Sequence, residues 1–249
     1  MLKPYQTIPI QDCGEPLVAI PLDVFERVDP HPYLAVGAPY GDRSPFFVRQ
    51  GILTRLHQAQ QNLQRSQPDW RIQIFDAYRP VAVQRYMVNY TFEQERLAQG
   101  LGAKLTPESE TELWTQVHTF WAIPSDDPAT PPPHSTGAAV DVTLINQLGQ
   151  VIDMGSPIDA ISERSYPNYF ASQASVSRTA EQVLEAQRFH QHREILRLTM
   201  ESAGFLRHPR EWWHFSFGDQ VWVWLEQGGV PEMKAEWPAG AIARYGLVP

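Results

Sequence analysis

Apolar positions along the chain fall into two periods, and the switches between them lay out its elements. Val48, Ile52, Leu56, Ala59 and Leu63 recur at spacings of four, four, three and four, the mark of an amphipathic helix. Ser44-Pro45 reads as its N-cap and first helical residue. Past Trp70 the period drops to two: Ile72 and Ile74 alternate with Arg71 and Gln73, which predicts a strand buried on one face. A second helix is expected after Arg79-Pro80 to about Gly100, and a third over about residues 108–120.

Residues 125–133 (SDDPATPPP) form the most proline-dense stretch, a stiff extended loop. Hydrophobic patterning resumes at once beyond it, so it marks no domain boundary. Over residues 137–144, Val140, Val142 and Leu144 alternate with Ala139, Asp141 and Thr143, a strand carrying Asp141 on the face opposite its aliphatics. A turn at 146–149 and a short partner strand at 150–152 follow. Thr179 and Gln182 have the spacing of a capping box opening a long helix, which Gly204 would stop. Residues 211–217 (EWWHFSF) and 221–225 are aromatic, β-favouring runs, and the first 43 residues read as an irregular arm with one or two short strands. Helices and hairpin-connected strands without βαβ alternation predict an α+β fold: a single domain over 1–249 with a central, mostly antiparallel sheet flanked by helices.

Composition narrows the chemistry. Twenty Lys and Arg against 28 Asp and Glu leave no basic surplus for phosphate neutralisation, which argues against a nucleic-acid partner. No run approaches the length of a membrane span, and the start lacks the pattern of an export signal, so a cytoplasmic protein is expected. Nothing in the sequence sets the oligomeric state. The single cysteine, Cys13, rules out an internal disulfide and a thiolate-rich metal site, so a transition metal would have to be held by histidine and carboxylate.

Of eight histidines, most lack a partner at ligand spacing. His190 and His192 point to different sides of a helix, His57 and His118 lie in amphipathic helices without an acidic or histidine neighbour at i+4, and His31 and His208 precede prolines in loops. No HExxH motif occurs. His134 and His214 remain, each near carboxylates. A straight strand would hold His134 and Asp141 more than about 20 Å apart. They can share a metal only if the chain folds back between them, which Gly137 permits; otherwise they are a turn histidine and a capping aspartate. Glu211 and His214 oppose each other on a strand but converge if Glu211 lies at a bend after Pro209; otherwise they are an exposed glutamate and a core histidine.

Three segments together resemble the D-alanyl-D-alanine dipeptidases of the D,D-peptidase and Hedgehog-like zinc superfamily: Asp76-Ala-Tyr-Arg79-Pro80, the block His134-Ser-Thr-Gly-Ala-Ala-Val-Asp141, and Glu211-Trp-Trp-His214. Asp153-Met-Gly-Ser156 with Asp159, Glu163-Arg-Ser165 and Met200-Glu-Ser-Ala-Gly-Phe205 support the match, which spans about residues 70–217. The resemblance implies a Hedgehog/D,D-peptidase-like fold and one zinc ion held by His134, Asp141 and His214, with the fourth position open. It implies Glu211 as the catalytic proton carrier and Arg79 as the partner of the scissile carbonyl's developing charge. It further implies Asp159 as receptor for the substrate's ammonium group, supported by Ser156. The substrate implied is a small peptidoglycan dipeptide, D-alanyl-D-alanine.

One position departs from the pattern. Pro132 stands where many relatives carry a serine able to contact the substrate's carboxylate, and proline offers neither hydroxyl nor N–H. Ser135 and Thr136 are the nearby hydroxyls that would substitute. Strict preference for D-Ala-D-Ala is therefore the expectation this change touches. A D,D-carboxypeptidase acting on longer wall peptides and a non-catalytic zinc-stabilised binding module are the alternative readings.

Overall fold

A computed structural model of the protein describes residues 3–172, 179–229 and 240–248. The amino-terminal arm holds a 3-10 turn (Pro4–Thr7), strands β1 (Leu17–Ala19) and β2 (Glu26–Arg27) and the helical turn α1 (Pro32–Ala35). Strand β3 (Phe47–Arg49) pairs antiparallel with β1, so Val48 belongs to this ribbon and not to the helix its spacing suggested. Helix α2 therefore begins later, at Gln50–Ser66, and Ser44 serves the chain before it by accepting from the Phe46 N–H. Strand β4 (Arg71–Asp76), helices α3 (Val81–Ala98) and α4 (Pro107–Phe120) and strand β5 (Ala139–Ile145) follow, close to the predicted spans. The partner strand expected at 150–152 is a single bridge between Ile145 and Val151. After α5 (Tyr169–Ser172) comes α6 (Ala180–Glu201), opened by the predicted Thr179/Gln182 capping box. Gly204 follows it at φ 90°.

Strands β6 (Leu206–Arg207) and β7 (His214–Ser216) complete a five-stranded sheet of order β2-β4-β5-β7-β6, antiparallel except for β2 against β4. The aromatic run at 221–225 is helical, not extended: α7 (Gln220–Glu226). The reason is local and tertiary at once. Asp219 caps the helix by accepting from the Trp222 N–H at 2.8 Å, and Val221 and Trp224 pack against Tyr5 and Ile8 of the arm.

The sheet has two unlike faces. Val140, Val142 and Leu144 of β5, Ile72 and Ile74 of β4 and Phe215 of β7 point to one side, against Ile52, Leu56 and Leu63 of α2 and Leu196 and Met200 of α6. Each of these aliphatics is fully buried and contributes about 1.5–3 kcal/mol to folding. On the other side lies a second cluster, built from Tyr33, Tyr40, Val83, Met87, Leu113, Val117 and Trp121. Among the described residues no helix is long and apolar enough to cross a membrane.

A bulge in β4 determines what the second face presents. Ile74 pairs with Val142, yet Asp76 pairs with Asp141, so Phe75 is an extra residue with no partner. Strict alternation would leave Asp76 on the aliphatic face with Ile72 and Ile74. The bulge turns it over, and because paired residues share a face, Asp76, Asp141 and His214 form one row across β4, β5 and β7.

Candidate active site

The row of three acquires its fourth member by a chain reversal. Pro133–Thr136 is a 3-10 turn, and Gly137 after it sits at φ 70°, a left-handed conformation that a side chain disfavours. The reversal brings His134 Nε2 to 3.2 Å from Asp141 Oδ2, across a stretch that a straight strand would have held far apart. His214 Nδ1 lies 3.1 Å from Asp141 Oδ1 and 3.1 Å from His134 Nε2. One ligand atom from each of the three lies within 4.8 Å of the others, and all three residues are buried.

Hydrogen bonds behind the histidines select the tautomer of each neutral ring. His134 Nδ1 lies 2.7 Å from the Ala77 carbonyl, which can only accept, so the proton sits on Nδ1 and the Nε2 lone pair faces Asp141. Ser216 donates its hydroxyl proton to Asp219 at 2.8 Å and so accepts from His214 Nε2–H at 3.3 Å. His214 Nδ1 is thereby left with its lone pair inward. Two imidazole lone pairs and a carboxylate thus converge with no proton between the nitrogens. Such a set repels itself unless a cation sits among it, and outer partners of this kind orient metal-ligating histidines. Burial holds His214 below its ordinary pKa, which favours the neutral, ligating form. The donor set is that of a nitrogen- and oxygen-bound divalent metal.

Glu211 lies in the bend before β7, one of the two placements the sequence left open, with Oε2 3.7 Å from His214 Nδ1. Its carboxyl is raised well above the usual range by burial first and then by the charges of Asp141 and Asp159. Arg79 donates from Nε to Asp76 at 2.8 Å, from Nη1 to Gln84 at 2.9 Å, and from Nη2 to Tyr33 at 3.1 Å and Asp141 at 3.2 Å. One Nη1 proton of this buried guanidinium has no partner among the described residues. Asp76 is itself held by the His31 ring at 3.1 Å and the Tyr40 hydroxyl at 3.0 Å.

Asp159 stands at φ 64°, the one non-glycine residue in the left-handed region among the described residues, a strained setting typical of functional positions. It accepts from the Tyr33 hydroxyl at 2.6 Å, and Tyr33 also links it to Arg79. Burial and the nearby Asp141 charge push its carboxyl up to about 7. A pocket joins His134, Asp141, His214, Glu211, Arg79 and Asp159; Trp121, Ala122, Pro133, His208, Lys3 and Arg210 also line it. Gln84 of α3, the C-terminal end of α4 and Pro133 thus line the site.

Two expected contributors lie elsewhere. Ser156 donates to the Arg164 carbonyl and accepts from Arg193 and the Trp212 indole, outside this pocket, so it supports a loop and not a ligand subsite. Ser135 is buried and gives its hydroxyl proton to the Arg79 carbonyl at 2.7 Å, which holds Arg79 and leaves nothing to donate to a ligand. Thr136 likewise donates to the Pro133 carbonyl. Conversely, sequence patterns do not single out His31, Tyr33 and Lys3 of the arm, or His208, 3.5 Å from Glu211. His208 carries a local signal, its i−3 spacing to Glu211 across a proline bend. The arm residues carry none, because their partners lie far along the chain.

The family model described as D-ala-D-ala dipeptidase, of peptidase family M15, matches residues 26–233. The chain belongs to this family. Its members are zinc-dependent in general. Over 248 residues it is 53% identical to a D-alanyl-D-alanine dipeptidase of Synechocystis sp., covering 99% of this chain and 97% of that one. Dipeptidases of the same name from Enterococcus faecium and Enterococcus faecalis are similar over shorter spans: 28% identical across 59% of this chain and 62% of the first, and 35% across 35% of this chain and 37% of the second. Among solved structures, the LdcB LD-carboxypeptidase aligns with a TM-score of 0.43 at 14% identity, covering 92% of this chain and 86% of that one.

Proposed function

We propose that this chain is a zinc-dependent dipeptidase that hydrolyses D-alanyl-D-alanine, or a similarly small D-containing dipeptide, to free amino acids, and that it works as one domain over its whole length. The observation that carries this reading is the convergence of two inward imidazole lone pairs with Asp141, flanked by a buried glutamate and a buried arginine. His134, Asp141 and His214 would hold the zinc, which would supply Lewis acidity and a water of lowered pKa.

The chain's own groups do the rest. Glu211, next to the ligand row, takes a proton from the attacking water at its carboxylate and returns it to the nitrogen of the leaving amino acid. Its raised proton affinity suits a group that must hold that proton between the two steps. Arg79 is locked by Asp76, Gln84 and Tyr33, so its positive charge meets the carbonyl oxygen as negative charge develops there without having to reorganise. Asp159 binds the substrate's ammonium group, with Tyr33 fixing the carboxylate's direction. A family of substrates with a free amino terminus follows, because a buried ammonium without a partner is costly.

The test is release of D-alanine from D-Ala-D-Ala by the purified protein, beside L-Ala-L-Ala and with and without a chelator. Chelator-sensitive turnover of the D,D-dipeptide is the expected result; no turnover with zinc fully loaded would sink the proposal.

A further inference from the structure

The pocket is lined by charges of both signs: Asp159, Glu211 and Arg79 and, besides these, Arg210 and Lys3. Lys3 is carried there by the turn Pro4–Thr7, and its Nζ donates to the His118 carbonyl near the C-terminus of α4 at 2.9 Å, using one of three protons. Arg210 immediately precedes Glu211, and its half-buried guanidinium makes no hydrogen bond or ion pair among the described residues. Neither cation has a carboxylate within salt-bridge distance among those residues, although the protein carries a formal charge of −8. Burial and the neighbouring Arg210 charge lower the proton affinity of Lys3, against an opposing pull from Glu211. With no carboxylate of the described residues in direct contact, the pair is open to an added anion.

A dipeptide bound as above supplies one. With its ammonium at Asp159 and its amide nitrogen within reach of Glu211, its carboxylate lies about 3 Å from that nitrogen, one carbon further on. It then falls near Glu211, which Arg210 directly precedes in the chain and beside which Lys3 lines the same pocket. The hydroxyls that could otherwise receive it are absent or engaged: position 132 is proline, and Ser135 and Thr136 donate to backbone carbonyls.

We propose that Lys3 and Arg210 together bind the carboxylate of the substrate's C-terminal residue, so that the pocket measures a dipeptide from both charged ends. This inference rests on the dipeptidase reading and assigns one end of its substrate. It also makes the arm part of the binding machinery, since the 3-10 turn, anchored through Tyr5 and Ile8 on α7, delivers one of the two cations.

The test compares D-Ala-D-Ala with D-Ala-D-alaninamide on the zinc-loaded wild type, Lys3→Met, Arg210→Gln and the double variant. A charge-assisted hydrogen bond lost from each cation raises KM for the acid about 10- to 100-fold, with kcat little changed. The preference for acid over amide collapses in the double variant, and Arg210→Lys recovers much of it. Calorimetric binding of D-Ala-D-Ala to the metal-free proteins weakens in parallel, while melting temperature and zinc content stay as in the wild type. A folded, zinc-replete double variant that keeps the wild-type preference overturns the inference alone. A wild type that turns over neither compound removes the dipeptidase reading, and the inference with it.

Discussion

Replacing Asp159 with asparagine keeps the shape of the side chain, including an oxygen to accept from Tyr33, and removes only the charge. For catalysis the loss is that of one partner in a desolvated ion pair with the substrate's ammonium. At this half-buried position that costs about 2–3 kcal/mol, or about 30- to 150-fold in kcat/KM. The same substitution should stabilise the protein when no ligand is bound. Burial and the Asp141 charge raise the Asp159 carboxyl from 3.8 to about 7. A fully buried group with that displacement would oppose folding by about 4 kcal/mol once ionised, and solvent access reduces this to on the order of 2 kcal/mol. The sign follows from linkage. A carboxyl raised in the folded state favours folding below its unfolded pKa and loses that contribution as pH rises towards its folded one. The stability advantage of Asp159→Asn over the wild type therefore opens between about pH 4 and pH 7 and stays level above that. Chelator-treated protein unfolded in urea across this range reads the effect. Kinetics on D-Ala-D-Ala and its N-acetyl derivative read the other half: the wild type prefers the free amine, and the variant scarcely distinguishes them. A variant that retains the wild-type preference for the free amine would refute the assignment of Asp159 as ammonium receptor.

Three further substitutions probe the frame around the metal row. Arg79→Lys cannot hold Asp76, Gln84 and Tyr33 at once, so kcat should fall about 10²- to 10³-fold with KM little moved, in steady-state kinetics. Ser216→Ala removes the acceptor of His214 Nε2–H and should weaken zinc binding about tenfold, measured by competition with a chromophoric chelator. Gly137→Ala places a methyl group at φ 70° and 2.5 Å from a Leu17 methyl, and should lower stability by about 1–2 kcal/mol in thermal unfolding while loosening the turn that presents His134.

How much of this is legible in the sequence depends on how local each cause is. The reversal at Gly137 and the bend at Glu211 are visible because glycine and proline act within a few residues, and the metal row follows from them together with the register of β5 on β7. The family resemblance names its members; the hydrogen bonds that orient them come only with the fold. Asp76 is hidden by alternation, since only the bulge at Phe75 turns it to the site face. The helix at Gln220–Glu226 reads as a strand because its aromatic residues favour strands, while Asp219 and the packing of Tyr5 on Trp224 decide otherwise. Ser156 and Ser135 have suitable chemistry, but their hydroxyls are committed to partners 8 and 56 residues away. His31, Tyr33 and Lys3 cannot be read at all, because a site residue supplied by an irregular arm is defined by tertiary contact alone.

Turnover, on this reading, depends on a single zinc ion at His134, Asp141 and His214 acting beside Glu211, and a metal titration tests that directly. Protein stripped by chelator and titrated with zinc should release D-alanine from D-Ala-D-Ala at a rate that climbs linearly to one equivalent per chain and then levels. Glu211→Gln should bind the same single equivalent and lose at least about 10²-fold in turnover. Turnover that survives complete removal of the metal, or a zinc-replete Glu211→Gln protein as fast as the wild type, would contradict it.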